Sequence, residues 1–348
     1  MTSKSGFLLG VLLLGALGAC KSKSASGEAP ASAASAASGA NHRVAFLLST
    51  LQEERYKKDQ RYFEDLASKK GLSPFTLSAD NDNARQLSQV EDALSRKAAV
   101  LVIQPTDSAA AGGYVAKAHE KGVKVVAYDR SIPGADFYVA HDSYRVGVIQ
   151  AEQAIKATGG KGNYVLLDGQ SGHSVAKEIA RGYAETLKPY IDKGEITIVM
   201  EKNNDAWSPE QALKTVEDAI SKTKGNIQAI LANNSGMARG AVQAVQAAGL
   251  GGKNIFIAGA DADAANVNYV CEKKQSIEVL KDIKPLAEEA ATVADALIRG
   301  QTVDAKSDSS GVPVVAVPIV LVTADNVKPI LIDSGFHAAS ALPSCVKQ

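Results

Sequence analysis

The sequence predicts an α/β protein made of two doubly wound lobes, each a parallel β-sheet covered by helices. From residue 43 onward, short apolar runs alternate with longer amphipathic stretches. The runs are apolar on both faces, as the strands of a helix-covered parallel sheet must be. The length of 348 residues is enough for about two domains.

Strands and helices are predicted to alternate along this part of the chain. We expect strands at 44–49, 75–78, 98–103, 123–128, 164–167, 196–200, 227–232 and 255–258, and a further short strand at 277–280. Helices are expected between them at 53–70, 84–97, 109–121, 144–157, 175–187, 209–221 and 237–248. Ser208 and Pro209 mark one helix start, because serine caps helix N-termini and proline fits the first helical position. Asp82 or Asn83 is expected to cap another helix.

The N-terminal segment is predicted to be a lipoprotein signal peptide covering residues 1–19. Lys4 precedes an apolar run over 7–19 that ends at Cys20. As a helix this run would be ~20 Å long, which is short of the ~30 Å hydrocarbon core of a bilayer. Leu17-Gly18-Ala19-Cys20 resembles the bacterial lipobox, so we expect lipidation at Cys20. A plain signal peptide that is cleaved near a cysteine is the alternative.

The segment after Cys20 is predicted to be a flexible tether. Residues 21–42 contain no large apolar side chain and cannot bury a core. We therefore expect a protein of the cell envelope, facing the periplasm or the extracellular side, that touches the membrane only through its lipid anchor.

The charge balance argues against nucleic acid as a partner. The chain has 38 Lys and Arg against 38 Asp and Glu, a formal net charge of zero. A nucleic-acid-binding protein needs a basic face that neutralises phosphates.

Two cysteines remain in the body of the chain, Cys271 and Cys345. In an oxidising compartment we expect a disulfide between them that fixes the C-terminal tail. Two unpaired thiols are the alternative.

The sequence contains no catalytic or metal-binding set that we can identify. The histidines at 42, 119, 141, 173 and 337 lack metal-site spacing. The glycine-rich segments 159–162 and 251–254 lack the Ser or Thr of a P-loop, and 169–172 only approximates a nucleophile elbow. We expect no enzyme activity, no metal and no cofactor.

Polar and aromatic side chains follow most of the predicted strands. In doubly wound folds, ligands bind beyond the carboxyl ends of the strands. Each such residue alone is more often a helix cap or turn residue than a ligand contact. Together they favour a site for a polar ligand. They are Glu53-Glu54-Arg55-Tyr56, Asp129-Arg130, 170–173, 203–207, 233–235, 261–263 and Lys281.

Several segments match a known family. They are Glu54-Arg55-Tyr56, Ser78-Ala79-Asp80-Asn81, Val125-Val126-Ala127-Tyr128-Asp129-Arg130, Asp205-Ala206-Trp207, Asp261-Ala262-Asp263 and Asp333-Ser334-Gly335-Phe336-His337. With these motifs the chain resembles the type I periplasmic binding proteins of ABC sugar importers, and among them the D-xylose-binding family. The resemblance extends from about residue 44 to residue 340.

The resemblance implies a monosaccharide site. It assigns an aromatic residue to each face of the sugar ring, Tyr56 and Trp207. Sugar hydroxyls both donate and accept, so aspartate acceptors and Arg, Lys and Asn donors can satisfy them in pairs. The implied polar contacts are Arg55, Asp129, Arg130, Asn234, Asp261 and Lys281.

The sequence departs from the family at His173 and Val175, where the family has Asp and Asn contacts. Valine cannot form a hydrogen bond with a hydroxyl, whereas histidine can donate or accept depending on its tautomer. We include His173 among the predicted contacts, with a structural histidine at a helix start as the alternative. The prediction of a sugar is therefore better founded than the prediction of which sugar.

The resemblance also implies discontinuous lobes joined by a hinge of three crossings, near Asp142, Lys281 and Val312. The N-terminal lobe would comprise 43–142 and 282–312, and the C-terminal lobe 143–281 and 313–348. We expect a monomer that closes on xylose or a related neutral sugar and delivers it to an ABC permease, with the ATPase an indirect partner. A sugar-sensing receptor subunit, or a binder of another polyol such as an inositol, remains an alternative.

Overall fold

Strands and helices alternate in the computed structural model, which describes residues 42–307 and 311–346. The strands are β1 (Arg43–Leu48), β2 (Ser73–Ser78), β3 (Val100–Ile103), β4 (Lys124–Tyr128), β5 (Phe137–His141), β6 (Gly162–Asp168), β7 (Ile196–Asn203), β8 (Ala229–Ala232), β9 (Phe256–Ala260), β10 (Ile277–Lys281), β11 (Lys306–Ser307), β12 (Pro313–Val317) and β13 (Ile319–Val322). The helices are α1 (Glu54–Lys69), α2 (Asn83–Ser95), α3 (Gly112–Glu120), α4 (Ser143–Thr158), α5 (Ser174–Asp192), α6 (Pro209–Thr223), α7 (Ser235–Ala247), α8 (Ala264–Cys271), α9 (Ile283–Ile298) and α10 (Pro343–Val346). Short 3-10 turns lie at Asp205–Trp207, Ala324–Asn326 and Ala339–Ala341, and a π-helical turn lies at Lys328–Ile332.

The strands form two sheets. The first has the order β11-β12-β5-β4-β3-β1-β2, and the second has the order β13-β10-β9-β8-β6-β7. Neighbouring strands are parallel, except that β11 and β13 pair antiparallel with β12 and β10. The prediction of an α/β fold with two parallel sheets is confirmed.

Apolar helical faces cover both sides of the first sheet. Phe46 and Tyr128 pack with Phe63 of α1 and Leu286 of α9 on one side, while Leu101 lies in the cluster on the other side. Every residue of β3 and of β8 is buried. This two-sided burial explains why the strands appear in the sequence as continuous apolar runs.

The predicted helix starts at Ser208 and Asp82 are confirmed. The Ser208 hydroxyl accepts a hydrogen bond from the Gln211 backbone N–H at 3.2 Å, with Pro209 as the first residue of α6. The Asp82 carboxylate accepts one from the Arg85 N–H at 2.8 Å. Each side chain satisfies a backbone donor that has no partner inside its helix.

In the described residues the chain passes three times between the two sheets. β5 leads through Asp142 to α4, which packs on α5, and β10 leads through Asp282 to α9, which packs on α1. The third passage lies at Pro318, because β12 pairs with β5 whereas β13 pairs with β10. The crossing expected near Val312 is wrong, and 313–317 belong to the first sheet. Pro318 separates the two strands because it lacks the N–H that a continuous ladder needs.

A disulfide joins Cys271 at the end of α8 to Cys345 in α10. Leu342 packs beside it in a small apolar cluster with Val267 and Leu331. The C-terminal segment is thereby held against α8. The predicted signal peptide, the lipidation site at Cys20 and the tether up to residue 41 lie outside the described residues.

Candidate ligand-binding site

A small cavity lies where the carboxyl ends of strands from the two sheets meet. The cavity volume is about 10 Å³, close to what a single water molecule needs, so the wall residues nearly meet one another in this structure. Its wall is formed by Glu53, Arg55, Tyr56, Asp129, Arg130, Val175, Trp207, Asp261 and Lys281.

Buried ion pairs link the two sides of this cavity. Arg55, in the first turn of α1, donates to Asp129 after β4 at 3.3 Å and to Asp261 after β9 at 3.0 Å. Lys281 at the end of β10 lies 2.8 Å from the same Asp261 carboxylate. Asp59, one turn further along α1, lies 3.5 Å from the Arg55 Nε atom. The charges of the wall are thus largely matched inside the protein.

The two aspartates remain ionised in this setting. Burial alone would raise the pKa of Asp129, but the charges of Arg55, Lys281 and Arg130 outweigh it and lower the pKa below its ordinary value. Burial likewise opposes ionisation of Asp261, and Lys281 and Arg55 again lower its pKa. Both carboxylates are therefore acceptors at neutral pH.

Unusual backbone conformations place these aspartates. Asp129 has φ of 60° and Asp261 has φ of 98°, and both follow directly after a strand. Such conformations cost of order 1–3 kcal/mol for a residue other than glycine, and they concentrate at functional sites. The turns direct both carboxylates toward Arg55.

Arg130 is held by the first lobe. Its Nη1 atom donates to the Ser49 hydroxyl at 3.0 Å and to the Pro105 carbonyl at 2.9 Å. Its Nη2 atom donates to the Tyr56 hydroxyl at 3.0 Å. The Nε atom is buried and has no hydrogen-bond partner among the described residues.

Two aromatic side chains line the cavity, Tyr56 from α1 and Trp207 from the short turn before α6. Trp207 and the preceding Ala206 both have positive φ, at 56° and 52°. A Cβ atom at position 169 would overlap the indole ring, so the glycine there leaves room for it. Burial raises the pKa of the Tyr56 hydroxyl, which stays neutral.

His173 lies beside Trp207 and does not line the cavity. The Trp207 indole N–H donates to its Nδ1 atom at 2.8 Å, while its Nε2 atom lies 2.7 Å from the Thr106 carbonyl oxygen. Nδ1 is therefore the acceptor and Nε2 carries the proton. Burial and the nearby charge of Arg130 together lower the pKa of His173 to about 2, so the ring is neutral.

Asn234, another predicted contact, also lies outside the cavity wall. Its side-chain oxygen accepts a hydrogen bond from the Met237 N–H at 2.9 Å and so caps α7. The structure brings the other predicted polar contacts and both aromatic residues together in one wall.

Two wall residues were not among the predicted contacts. Val175, noted in the sequence as a departure from the family, presents an apolar side chain from α5. Glu53, the residue before α1, was part of the polar segment after the first strand. Its position in the segment between the first strand and α1 was the available signal.

Hydrogen bonds also join the lobes at one edge of the site. The Ser131 N–H donates to the Ser174 hydroxyl at 2.9 Å, and the Ser174 N–H donates to the Ser108 hydroxyl at 3.2 Å. The Ser108 N–H lies 3.4 Å from the Gly172 carbonyl oxygen. These bonds, with the Arg55–Asp261 pair, describe a state in which the lobes are closed.

Two parallel α/β lobes that close over a small polar cavity define a solute-binding protein. The chain belongs to the periplasmic binding protein domain family, whose sequence profile matches residues 44–302. None of the helices within 42–307 and 311–346 has the length and apolar character needed to cross a membrane.

Individual relatives cover most of the chain. It is 36% identical over 308 residues to the D-xylose-binding periplasmic protein of Escherichia coli, an alignment covering 86% of this chain and 92% of that protein. An ABC transporter solute-binding protein of Clostridium phytofermentans with bound β-D-glucose has a TM-score of 0.79 and 28% identity, covering 86% of this chain and 99% of that one. The Caulobacter myo-inositol-binding protein, bound to myo-inositol, has a TM-score of 0.76 and 25% identity, covering 84% and 96%.

Proposed function

We propose that this protein captures one neutral monosaccharide between its lobes, xylose or a related sugar, and delivers it to the permease of an ABC importer. The observation that carries the proposal is the cavity wall. It combines ionised aspartates, cationic donors and two aromatic side chains around one small cavity between the lobes. Sugar hydroxyls accept from Arg and Lys and donate to Asp, and aromatic faces cover the C–H surfaces of the ring.

Further support comes from the Arg130 Nε atom, which has no hydrogen-bond partner among the described residues, and from the similar proteins. A buried polar atom without a partner is rare in native structures, so the Arg130 Nε atom is suited to an oxygen of the ligand. The similar proteins named above bind xylose, glucose and myo-inositol, which are all neutral ring polyols. An inositol is therefore the second candidate ligand.

Calorimetry against pentoses, hexoses and inositols tests the proposal. We expect wild-type protein to bind at least one of them, and Arg130→Ala and Asp261→Asn to lose that binding. Each change removes one partner of a buried charged contact, which costs about 2–5 kcal/mol in binding, or at least about thirtyfold in affinity.

Asp218→Ala and Arg85→Ala are the matched controls, because both side chains are exposed. They should bind as the wild type does. Thermal unfolding of each variant by circular dichroism separates lost contacts from lost structure. No heat with any polyol, or full binding by folded Asp261→Asn, would reject the proposal.

We further propose that the protein is tethered to the cell envelope by a lipid on Cys20 and faces the periplasm or the extracellular side. The lipobox-like Leu17-Gly18-Ala19-Cys20 supports this. Cells that express the wild type should incorporate labelled palmitate into the protein, and Cys20→Ala should abolish both the label and membrane fractionation. A Cys20→Ala protein that still sediments with membranes would contradict the lipid anchor.

A further inference from the structure

Glu53 is distinct among the acids of the cavity wall. Asp129 pairs with Arg55, and Asp261 pairs with Arg55 and Lys281. Within the described residues, no hydrogen bond or ion pair connects the Glu53 carboxyl group to another side chain or to the backbone. The side chain is half-buried and faces the same small space.

The local structure accounts for this free carboxyl group. Glu53 occupies the position that caps α1, with extended backbone at φ −77° and ψ 142°. Polar side chains at such positions usually accept a hydrogen bond from the first turn of the helix, but Glu53 makes no such bond. Its acceptor oxygens are therefore available to the cavity.

The charged groups that face Glu53 are already engaged elsewhere. Its electrostatic neighbours are Arg130, Asp261, Arg55 and Lys281. The two cations at Asp261 form the ion pairs described above, and Arg130 donates to Ser49, Pro105 and Tyr56. Burial raises the pKa of Glu53 to about 7, against the opposing charge of Arg130.

We infer that Glu53 is a specificity-determining ligand contact that accepts a hydrogen bond from a hydroxyl of the bound sugar. The inference rests on the proposed function and deepens it. The Glu53 contact selects neutral sugars with a free hydroxyl at the position that faces Glu53. It disfavours analogues that lack the hydroxyl at this position. Uronic acids and sugar phosphates are excluded, because their anionic group would meet both Glu53 and Asp261.

The contact also predicts the direction of a pH effect. Hydroxyl donors stabilise the ionised carboxylate, so ligand binding lowers the Glu53 pKa and releases a proton near neutral pH. Affinity should therefore fall as the pH drops from 8 toward 5.5. The other groups facing Glu53 are Arg130, Arg55, Lys281, Asp261 and Tyr56, of which Asp261 has a lowered pKa and Tyr56 a raised one.

The experiment is calorimetry of the full-length protein between pH 5.5 and 8.5, in phosphate and in Tris. The difference in heat between these buffers counts the protons released. The probe is the sugar that wild type binds best, together with its single-deoxy analogues. Glu53→Gln retains the shape of the side chain, Glu53→Leu removes its hydrogen bonds, and Glu54→Gln is the control because Glu54 is exposed and pairs with Lys58.

We expect Glu53→Gln to weaken binding by about tenfold and to lose the pH dependence and proton release that wild type and Glu54→Gln share. One deoxy analogue should bind to the wild type about tenfold more weakly than the parent sugar does. To Glu53→Leu, that analogue and the parent sugar should bind equally well. Variants with wild-type affinity, pH profile and deoxy-sugar profile would overturn the inference while leaving the proposed function intact. If wild type binds no polyol, the proposed function fails and this inference fails with it.

Discussion

Trp207 is the only tryptophan in the chain, and its indole N–H is bonded to the Nδ1 atom of His173. On its other side, His173 is bonded to the Thr106 carbonyl oxygen of the opposite lobe. Through these two bonds, His173 links the position of the Trp207 ring to the contact between the closed lobes. We interpret it as a positioning residue for Trp207.

Replacing His173 by Phe should weaken sugar binding by about tenfold or more. The phenyl ring fills the space but leaves a buried indole N–H without an acceptor, which costs about 1–3 kcal/mol. Asn at this position offers an oxygen near the former Nδ1 atom, so His173→Asn should partly restore affinity. Because Trp207 is the sole tryptophan, its fluorescence emission reports directly on this bond.

The expected result is a shifted emission maximum in His173→Phe and a smaller shift in His173→Asn. Trp207→Phe serves as the blank for the fluorescence measurement. Unchanged emission and affinity in a folded His173→Phe variant would contradict the positioning role.

Residue types at strand ends predicted most of the cavity wall. Arg55, Asp129, Arg130, Asp261 and Lys281 are found together because the carboxyl ends of parallel strands converge. The sequence could not show whether His173 lines the cavity or lies behind the wall residues. That difference depends on which atoms of Trp207 and Thr106 reach the ring.

Glu53 is a second residue whose place in the cavity wall could not be predicted from the sequence. A polar residue just before a helix is most often a cap, and only the three-dimensional contacts show that this one makes no capping bond. Its role as a cavity residue follows from packing between the lobes, which a local pattern does not contain.

At the scale of elements, burial on both faces made the central strands predictable. β3, β4, β8 and β9 appear in the sequence as uninterrupted apolar runs, and each lies inside a sheet. The strands near the sheet edges were harder to predict. β12 and β13 lie on either side of Pro318 in one apolar stretch, although β12 belongs to the first sheet and β13 to the second.

Helix α9 was not predicted, although it is one of the longer helices described. Pro285 is its third residue, where a missing N–H is harmless because the first turn has no intrahelical acceptor. The helix is alanine-rich and packs against α1 and β5. Its buried residues Ile283, Leu286, Ala287, Ala290, Ala291 and Ala294 recur at helical spacing, so the periodicity that marks an amphipathic helix was present in the sequence.

For the whole molecule, the closed state is held by polar contacts that could also form with water. Arg55 and Asp261 bridge the lobes at 3.0 Å, and Ser131 and Ser174 do so at 2.9 Å. Exchanging such bonds for water changes the free energy by only about 0.5–1.5 kcal/mol for the neutral bond and about 1.5–3 kcal/mol for the charged one. A ligand that contacts both lobes can therefore shift the balance between open and closed states.

We propose that the lobes, 43–142 with 282–317 and 143–281 with 319–346, move as rigid bodies around the three passages. Small-angle scattering should then show a monomer whose radius of gyration decreases at saturating sugar. A radius of gyration that does not change with ligand, or the mass of a dimer, would reject this behaviour.

Ser174→Ala isolates the contribution of closure to affinity. Its hydroxyl accepts from Ser131 across the lobes, and the residue does not line the cavity. Loss of this bond should weaken sugar binding about fivefold, because less of the protein reaches the closed state at a given sugar concentration. At saturation the scattering curve should equal that of the wild type. Ser88→Ala, an exposed change within α2, is the control. If Ser174→Ala binds sugar as tightly as Ser88→Ala does, the interlobe bond does not contribute to closure.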